Sequence, residues 1–249
     1  MLEQPPSPPL SVVIAARNEA DRLPALLAQL ATAPALIREV LVVDGESSDA
    51  TARVATLAGA TVLRTSAGRG HQFACGAARV LSPWLLLLHA DTRLPPGWAL
   101  ALERAIAAGG RHRCAWYFEL AIAAPDPALR LVELAVRLRS RWWQRPYGDQ
   151  GLLLPLDLYR AIGGIRPLPL MEDLELVERL NRRARLCSLR LALRVDGRRW
   201  RRRGVWQTTL TNLALRRAWR RGVPAEQLAA RYYGGPVVQG AYQKAQRRS

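Results

Sequence analysis

Three clusters of polar residues interrupt otherwise apolar stretches in the first half of the chain: Arg17-Asn18-Glu19, Asp44 and His89-Ala90-Asp91. Each follows a short buried-type run, LSVVIAA, EVLVVD and WLLLLHA respectively. A single acid at such a place is ordinary capping chemistry, because Asp commonly begins the helix after a strand. Three at equivalent places imply one crevice, since open parallel sheets bind ligands beyond the carboxyl ends of their strands. A fourth cluster, Glu172-Asp173, heads the helical pattern LMEDLELVERLNRR. A helix N-terminus favours the ionised form of a carboxylate there, as a base requires, although the same acids are also good capping residues.

These residues need rigid elements to hold them. Apolar runs alternate with helical patterns through the first 110 residues, the signature of parallel βαβ units. Strands are expected at Leu10–Ala16, Glu39–Asp44, TVLRT and WLLLLHA. Their lack of polar alternation predicts burial on both faces. The helices between them are expected in RNEADRLPALLAQLATA, in SSDATARVATLAGA with Ser47 or Ser48 as N-cap, and in HQFACGAARV. The expected fold class is α/β, a doubly wound and mostly parallel sheet flanked by helices. Beyond residue 112 a strand is expected in CAWYFELAIA and a basic amphipathic helix in PALRLVELAVRLRSRWWQ. A short strand GLLLP, a strand near LCSLRLALRV and two closing helices, GVWQTTLTNLALRRAWRRG and PAEQLAARYY, complete the pattern. The expected organisation is one domain over residues 10–235, divided into halves at 10–110 and 111–235. The first nine residues and the tail from 236 are expected to be disordered.

Composition narrows the class. With 249 residues, nearly half of them apolar, the chain can bury a full core. Its longest aliphatic stretches fall well short of a membrane span, and no signal peptide is visible in MLEQPPSPPL. Cys75, Cys114 and Cys187 are odd in number and lack metal-ligand spacing, which is expected of reduced core residues in a cytoplasmic protein. The absence of G-x-G-x-x-G after the first strand and of G-x-x-x-x-G-K-[ST] argues against dinucleotide and P-loop sites.

The net charge of +17 is unevenly spread. Residues 1–110 hold nine Arg against nine acids, whereas 111–249 hold 28 Lys or Arg against 11. Between 179 and 221 there are fifteen Arg and one acid, Asp196. Such asymmetry points to an anionic partner: phosphate groups, an anionic membrane or nucleic acid. The bland alternative is a solvated basic face. The helices at 128–145 and 205–221 mix Leu and Trp with Arg as interfacial helices do, and packing of their apolar faces on the sheet is the commoner use.

The segments SVVIAARNEADRLPALL, EVLVVDGESSDAT and LLLLHADTRLPPG, followed by YGDQG and LMEDLEL, together resemble family 2 glycosyltransferases with the GT-A fold. The HADT, YGDQG and MED series most resembles a bacterial subgroup within that family. The resemblance implies a nucleoside-diphosphate sugar donor, a hydroxyl acceptor, a single displacement with inversion, and Mn²⁺ or Mg²⁺ as cofactor. Asp44 would meet the base or ribose, with Ala15, Arg17 and Glu19 lining the same pocket. Asp91 corresponds to the last acid of the family's D-x-D metal motif, and His89 stands where the first acid is expected. Imidazole suits Mn²⁺ better than Mg²⁺, and His89 has the alternative of donating to ribose or phosphate. Gly45 stands where many relatives carry a second acid.

Glu172-Asp173 match the family's acidic pair, with Asp173 as base and Glu172 orienting sugar or acceptor. Asp149 and Gln150 of YGDQG would reach the donor sugar, and Arg69 lies in a loop that bears on donor preference. The RRWRRRG stretch, including Arg203, would close as a loop over the diphosphate, which Arg binds bidentately. The competing reading is a degenerate transferase whose basic half holds anionic lipid or nucleic acid. No base-stacking aromatic pairs are visible on a strand, so nucleic acid is the less expected partner. A nucleotidyltransferase is disfavoured, because no G-G-x-G-x-R loop follows the first strand. The expected location is cytoplasmic, with peripheral contact at the inner membrane face as an option.

Overall fold

A computed structural model of the protein describes residues 8–109 and 114–233. The first seven residues and the tail from 234, where most of the expected disorder falls, lie outside the described residues. Strands β1 (Leu10–Ala16), β2 (Ile37–Asp44), β3 (Thr61–Arg64) and β4 (Trp84–His89) alternate with helices α1 (Leu23–Ala31), α2 (Thr51–Leu57) and α3 (Arg69–Ala77). They pair in parallel in the order β3-β2-β1-β4, the arrangement expected of repeated βαβ units.

The second half extends the same sheet. After the short β5 (Thr92–Arg93) and α4 (Trp98–Gly109) come β6 (Cys114–Ala123), α5 (Ala128–Trp142), β7 (Leu152–Pro155) and α6 (Leu156–Ala161). The described residues end with α7 (Glu172–Leu180), β8 (Arg185–Asp196), α8 (Arg198–Arg203), α9 (Val205–Arg220) and α10 (Ala225–Tyr233). Strand β7 joins β4 and β6 antiparallel, β6 runs parallel to β8, and β5 closes the edge antiparallel to β8. The result is one eight-stranded sheet, β3-β2-β1-β4-β7-β6-β8-β5.

Both sheet faces are covered, which explains the unalternated strands. One face sets Val12, Ile14, Leu86 and Leu88 against α1 and α4, through Leu26, Trp98 and Leu102. The other sets Val13, Val43, Leu85 and Leu87 against α3 and α7, through Phe73, Leu176 and Leu180. Elements β5, α4 and α6 are additional to the sequence expectation. The RRWRRRG stretch, expected as a loop, is largely the short helix α8.

The start of α2 also differs. Its N-cap is Ala50, and neither Ser47 nor Ser48 caps it. Ser47 Oγ accepts from the Asn18 N–H (2.9 Å), and the Ser48 N–H donates to Asn18 Oδ1 (2.8 Å). The two serines therefore tie the β1–α1 turn to the β2–α2 turn. Asp49 takes over the helix start, accepting from the Thr51 N–H at 2.9 Å.

Candidate active site

Strand register decides where the polar clusters meet. Ala16 pairs with Asp44, and Ala15 pairs with His89. The ends of β1, β2 and β4 are thus level. The ends of β1 and β4 open into a cavity of about 840 Å³ that α8, α9 and α10 also line, whereas Asp44, at the end of β2, is not among its lining residues. Ala15, Arg17, Glu19, Arg69, His89, Asp91, Asp149 and Asp173 all line it.

Asp44 is buried, with one carboxylate oxygen accepting weakly from the Ser47 N–H (3.4 Å). Its Oδ1 has no partner among the described residues, an arrangement suited to accepting from a ligand N–H or hydroxyl. Beside it, Gln72 donates from Nε2 to the carbonyls of Ala16 (2.7 Å) and Val43 (2.9 Å), clasping β1 to β2 at their ends. A Cβ on Gly45 would lie 2.8 Å from that amide. The missing second acid of VVDGES is therefore explained by Gln72, which occupies the space a side chain would need.

His89 Nε2 is buried and unpartnered among the described residues, while its ring meets Phe73 edge-on at 5.3 Å. Burial, reinforced by the nearby Arg69 and Arg199 cations and opposed by Asp173, pulls the imidazole down to about 3. His89 is thus neutral at physiological pH and carries one unused ring nitrogen. Asp91 belongs to a different charge group, 3.7 Å from an Arg198 guanidinium nitrogen and influenced by Asp196 and Arg22. Burial raises its carboxyl above the usual range, against the pull of Arg198.

The described residues contain no cluster of three His, Cys, Asp or Glu able to enclose a metal ion. The donor set fits a hard divalent cation held in the open manner, through the half-buried Asp91 carboxylate and substrate phosphates. His89 stands among cations and is the weaker match.

Met171, the N-cap of α7, adopts the left-handed conformation (φ 66°), which costs a non-glycine residue roughly 1–2 kcal/mol. The turn sends the two following acids to different places. Glu172 is buried outside the cavity lining, with Oε1 2.9 Å from Arg69 Nε and Oε2 without a partner among the described residues. Burial pushes it up to about 7, against the Arg69 charge. Asp173 faces the cavity. Its Oδ2 accepts from the Gly148 N–H (2.8 Å) and its Oδ1 from the Leu174 N–H (2.8 Å). Asp149 is raised by burial, with Arg139 opposing and Asp173 adding, and its Oδ1 is buried without a partner among the described residues.

Three expected site residues have other occupations. Gln150 is fully buried and works as an internal bracket. Its Oε1 accepts from Ser140 Oγ (2.9 Å), and its Nε2 donates to the Phe118 carbonyl (3.0 Å). Glu19 lines the cavity with its carboxylate held by Arg198 and by Arg22 (3.3 Å), so it positions arginines and has little left for a base. Arg203 is exposed on α8 and outside the cavity lining, whereas Arg198 and Arg199 of the same run enter it. Arg199 and Arg203 lie one turn apart on the same side of α8, so position along the helix separates them: Arg198 and Arg199 begin it at the cavity and Arg203 ends it. Arg216 and Tyr232, unmarked by any motif, also line the cavity; Arg199 lies over the Tyr232 ring at 4.8 Å.

Residues 11–116 match the family described as glycosyl transferase family 2. The matched segment, less than half of the chain, covers β1–β4 and the start of β6, with Asp44, His89 and Asp91 inside it and Glu172-Asp173 beyond it.

An undecaprenyl-phosphate 4-deoxy-4-formamido-L-arabinose transferase of Klebsiella pneumoniae is 36% identical over 107 residues, 39% of this chain and 33% of that protein. The matched segment is thus about a third of that relative's length. Among solved structures, a glucosyl-3-phosphoglycerate synthase of Mycobacterium tuberculosis, in complex with Mn²⁺, UDP and glucosyl-3-phosphoglycerate, superposes with a TM-score of 0.53 at 17% identity, over 73% of this chain and 70% of that one. TarS of S. aureus, residues 1–349, superposes with a TM-score of 0.58 at 16% identity, over 76% and 60%. The chain therefore has the GT-A architecture expected from its motifs. No helix among the described residues is long and apolar enough to cross a membrane.

Proposed function

We propose that the protein is an inverting glycosyltransferase that moves a sugar from a nucleoside-diphosphate sugar to a hydroxyl acceptor, assisted by Mn²⁺ or Mg²⁺, in a cytoplasmic setting. The observation that carries this reading is Asp173, a carboxylate braced by the Gly148 N–H and facing the same cavity as the ends of β1 and β4. The UDP and Mn²⁺ held by the mycobacterial synthase support the donor class and the cation.

Residues 10–110 bind the donor in this reading, and 111–235 supply the acceptor side and the base. Asp44 and the backbone near Ala15 receive the base and ribose. Arg69, Arg198 and Arg199 surround the diphosphate, and Asp149 meets the sugar. Asp91 holds the cation, which when bound supplies neutralisation of the diphosphate's negative charge.

Asp173 accepts the proton of the acceptor hydroxyl as that oxygen bonds to the anomeric carbon. The bond from that carbon to the diphosphate oxygen breaks on the opposite face, and the diphosphate leaves with the electron pair. Glu172, buried against Arg69, fixes the start of α7 and so the aim of Asp173.

Calorimetric titration with UDP- and GDP-sugars in Mn²⁺, followed by assay of nucleotide release and of the anomer formed, tests the proposal. Absence of binding to every donor, or full turnover by Asp173→Asn, would overturn it.

A further inference from the structure

Helices α5 and α9 are neighbours in the fold, and each packs inward with one face only. From α5, Leu129, Val132 and Val136 join the small core with Leu120 and Ile122 of β6. From α9, Val205, Thr208 and Leu215 are buried. Each helix also carries a second apolar stripe that faces solvent. On α5 it comprises Leu131 (60% exposed), Leu134 and Trp142 (71%), with the half-buried Leu138 between them and Trp143 beyond the helix end. On α9 it comprises Trp206 (61%) and Leu210 (62%), with the half-buried Leu213 next to them. Steps of three and four residues keep each stripe on one side of its helix.

Six of the ten large apolar side chains exposed among the described residues lie on these helices or the residue after α5. Exposed arginines border them: Arg217, Arg220 and Arg221 on and just after α9, and, on α5, Arg130, Arg137 and Arg141, whose guanidiniums are also ion-paired with Glu133 and Glu119. Packing on the sheet, the commoner use of such helices, thus accounts for only one of their two apolar faces.

We infer that the α5–α9 face is a docking surface for an anionic lipid bilayer. Tryptophan and leucine side chains enter the headgroup boundary, and the bordering guanidiniums meet lipid phosphates while their stems lie along the apolar region. The charge balance of residues 111–249, 28 cations against 11 acids, is complementary to such a surface. A second copy of the chain fits less well, because two arginine-bordered faces would oppose like charges. Nucleic acid would leave the leucines without a partner. The docking surface goes beyond the transferase reading and does not depend on it.

Flotation of the intact protein with vesicles tests the inference. The expected result is binding to phosphatidylcholine vesicles containing about a third phosphatidylglycerol, weakening as salt rises, with little binding to phosphatidylcholine alone. Trp142→Ser with Trp206→Ser should weaken binding about tenfold or more while circular dichroism is unchanged. Leu131→Ser with Leu210→Ser, which retains both tryptophans, should do the same. Equal binding of both vesicle types, or vesicle binding unmoved by either double variant, would overturn the inference. So would failure to bind vesicles accompanied by a dimer, or by an oligonucleotide complex, that the substitutions dissolve.

Discussion

Arg69 Nε stands 2.9 Å from Glu172 Oε1, joining the first turn of α3 to the first turn of α7 beneath the cavity. The pair links an element of the donor half to the element that carries Asp173. Burial outweighs the Arg69 charge and holds Glu172 at about 7, above its ordinary 4.5. The folded protein therefore binds more protons here than the unfolded chain between about pH 4.5 and 7. The stability associated with protonated Glu172 is fully present below the unfolded value and is lost as pH rises through the folded one. Its size is on the order of 3 kcal/mol. Thermal denaturation from pH 5 to 8 should show this decline in the wild type. Glu172→Gln, neutral at every pH, should remove that component of the slope.

His89 gives the opposite sign. Its folded value, about 3, is below the ordinary 6.5, so the unfolded chain binds the extra proton. This group's contribution is fully present above about pH 6.5 and is lost as pH falls toward 3. His89→Asn should make the loss of melting temperature on acidification shallower than in the wild type. Retention of the wild-type slope would show that the ring is accessible enough to protonate in the folded state.

Gly148 and Asp173 form the contact on which the proposed base depends. Asp173→Asn should lower kcat by about 10²- to 10⁴-fold while leaving donor affinity nearly unchanged. Gly148→Ala tests the positioning alone. Its Cβ would lie 3.2 Å from both Asp173 Oδ2 and His89 Nε2, so one of them must move. A fall in kcat with an unchanged melting temperature is expected. Wild-type kinetics for Gly148→Ala would show that the Asp173 position is not critical.

Asp91 is the carboxylate assigned to the cation. Asp91→Ala should remove the gain in UDP affinity that Mn²⁺ produces, while metal-free UDP binding through Arg69 and Arg198 persists. Titration of UDP with and without Mn²⁺ separates the two terms. His89→Asp, compared under Mg²⁺ and Mn²⁺, asks whether a second carboxylate among these arginines widens the choice of metal. A full Mn²⁺ effect in Asp91→Ala would move the cation site elsewhere.

Much of this site was legible because β-strand register is local in origin. Apolar runs of similar length, each ending in a polar cluster, place Asp44 and His89 level with the end of β1 without further information. The acids at the start of α7 were visible for a related reason, since first-turn carboxylates are marked by the helix pattern that follows. The burial of Glu172 against Arg69, outside the cavity that Asp173 faces, was not. It depends on the left-handed turn at Met171 and on Arg69, about a hundred residues away in sequence. The partners of Gln150 and Glu19 were not legible either, because a polar side chain in a motif looks the same whether it meets a ligand, Ser140 or Arg198. Composition signalled the arginines of α8 but could not sort Arg198 and Arg199 from Arg203, since that choice rests on which end of the short helix meets the cavity.

Gly45 and Gln72 supply a test of why a glycine follows Asp44 at the end of β2. The Gln72 amide holds the Ala16 and Val43 carbonyls together, and Gly45 leaves the room for it. Gly45→Asp would force the amide out and leave two strand-end carbonyls without their donor. The expected cost is about 1–3 kcal/mol, read as a lower urea midpoint with an unchanged slope. Gln72→Ala alone should lose a comparable amount, because it removes the same two hydrogen bonds. In Gly45→Asp with Gln72→Ala the clash has already been relieved, so the double variant should be clearly more stable than the sum of the two losses predicts. Simple additivity would mean that Gly45 is required for some reason other than the space occupied by Gln72.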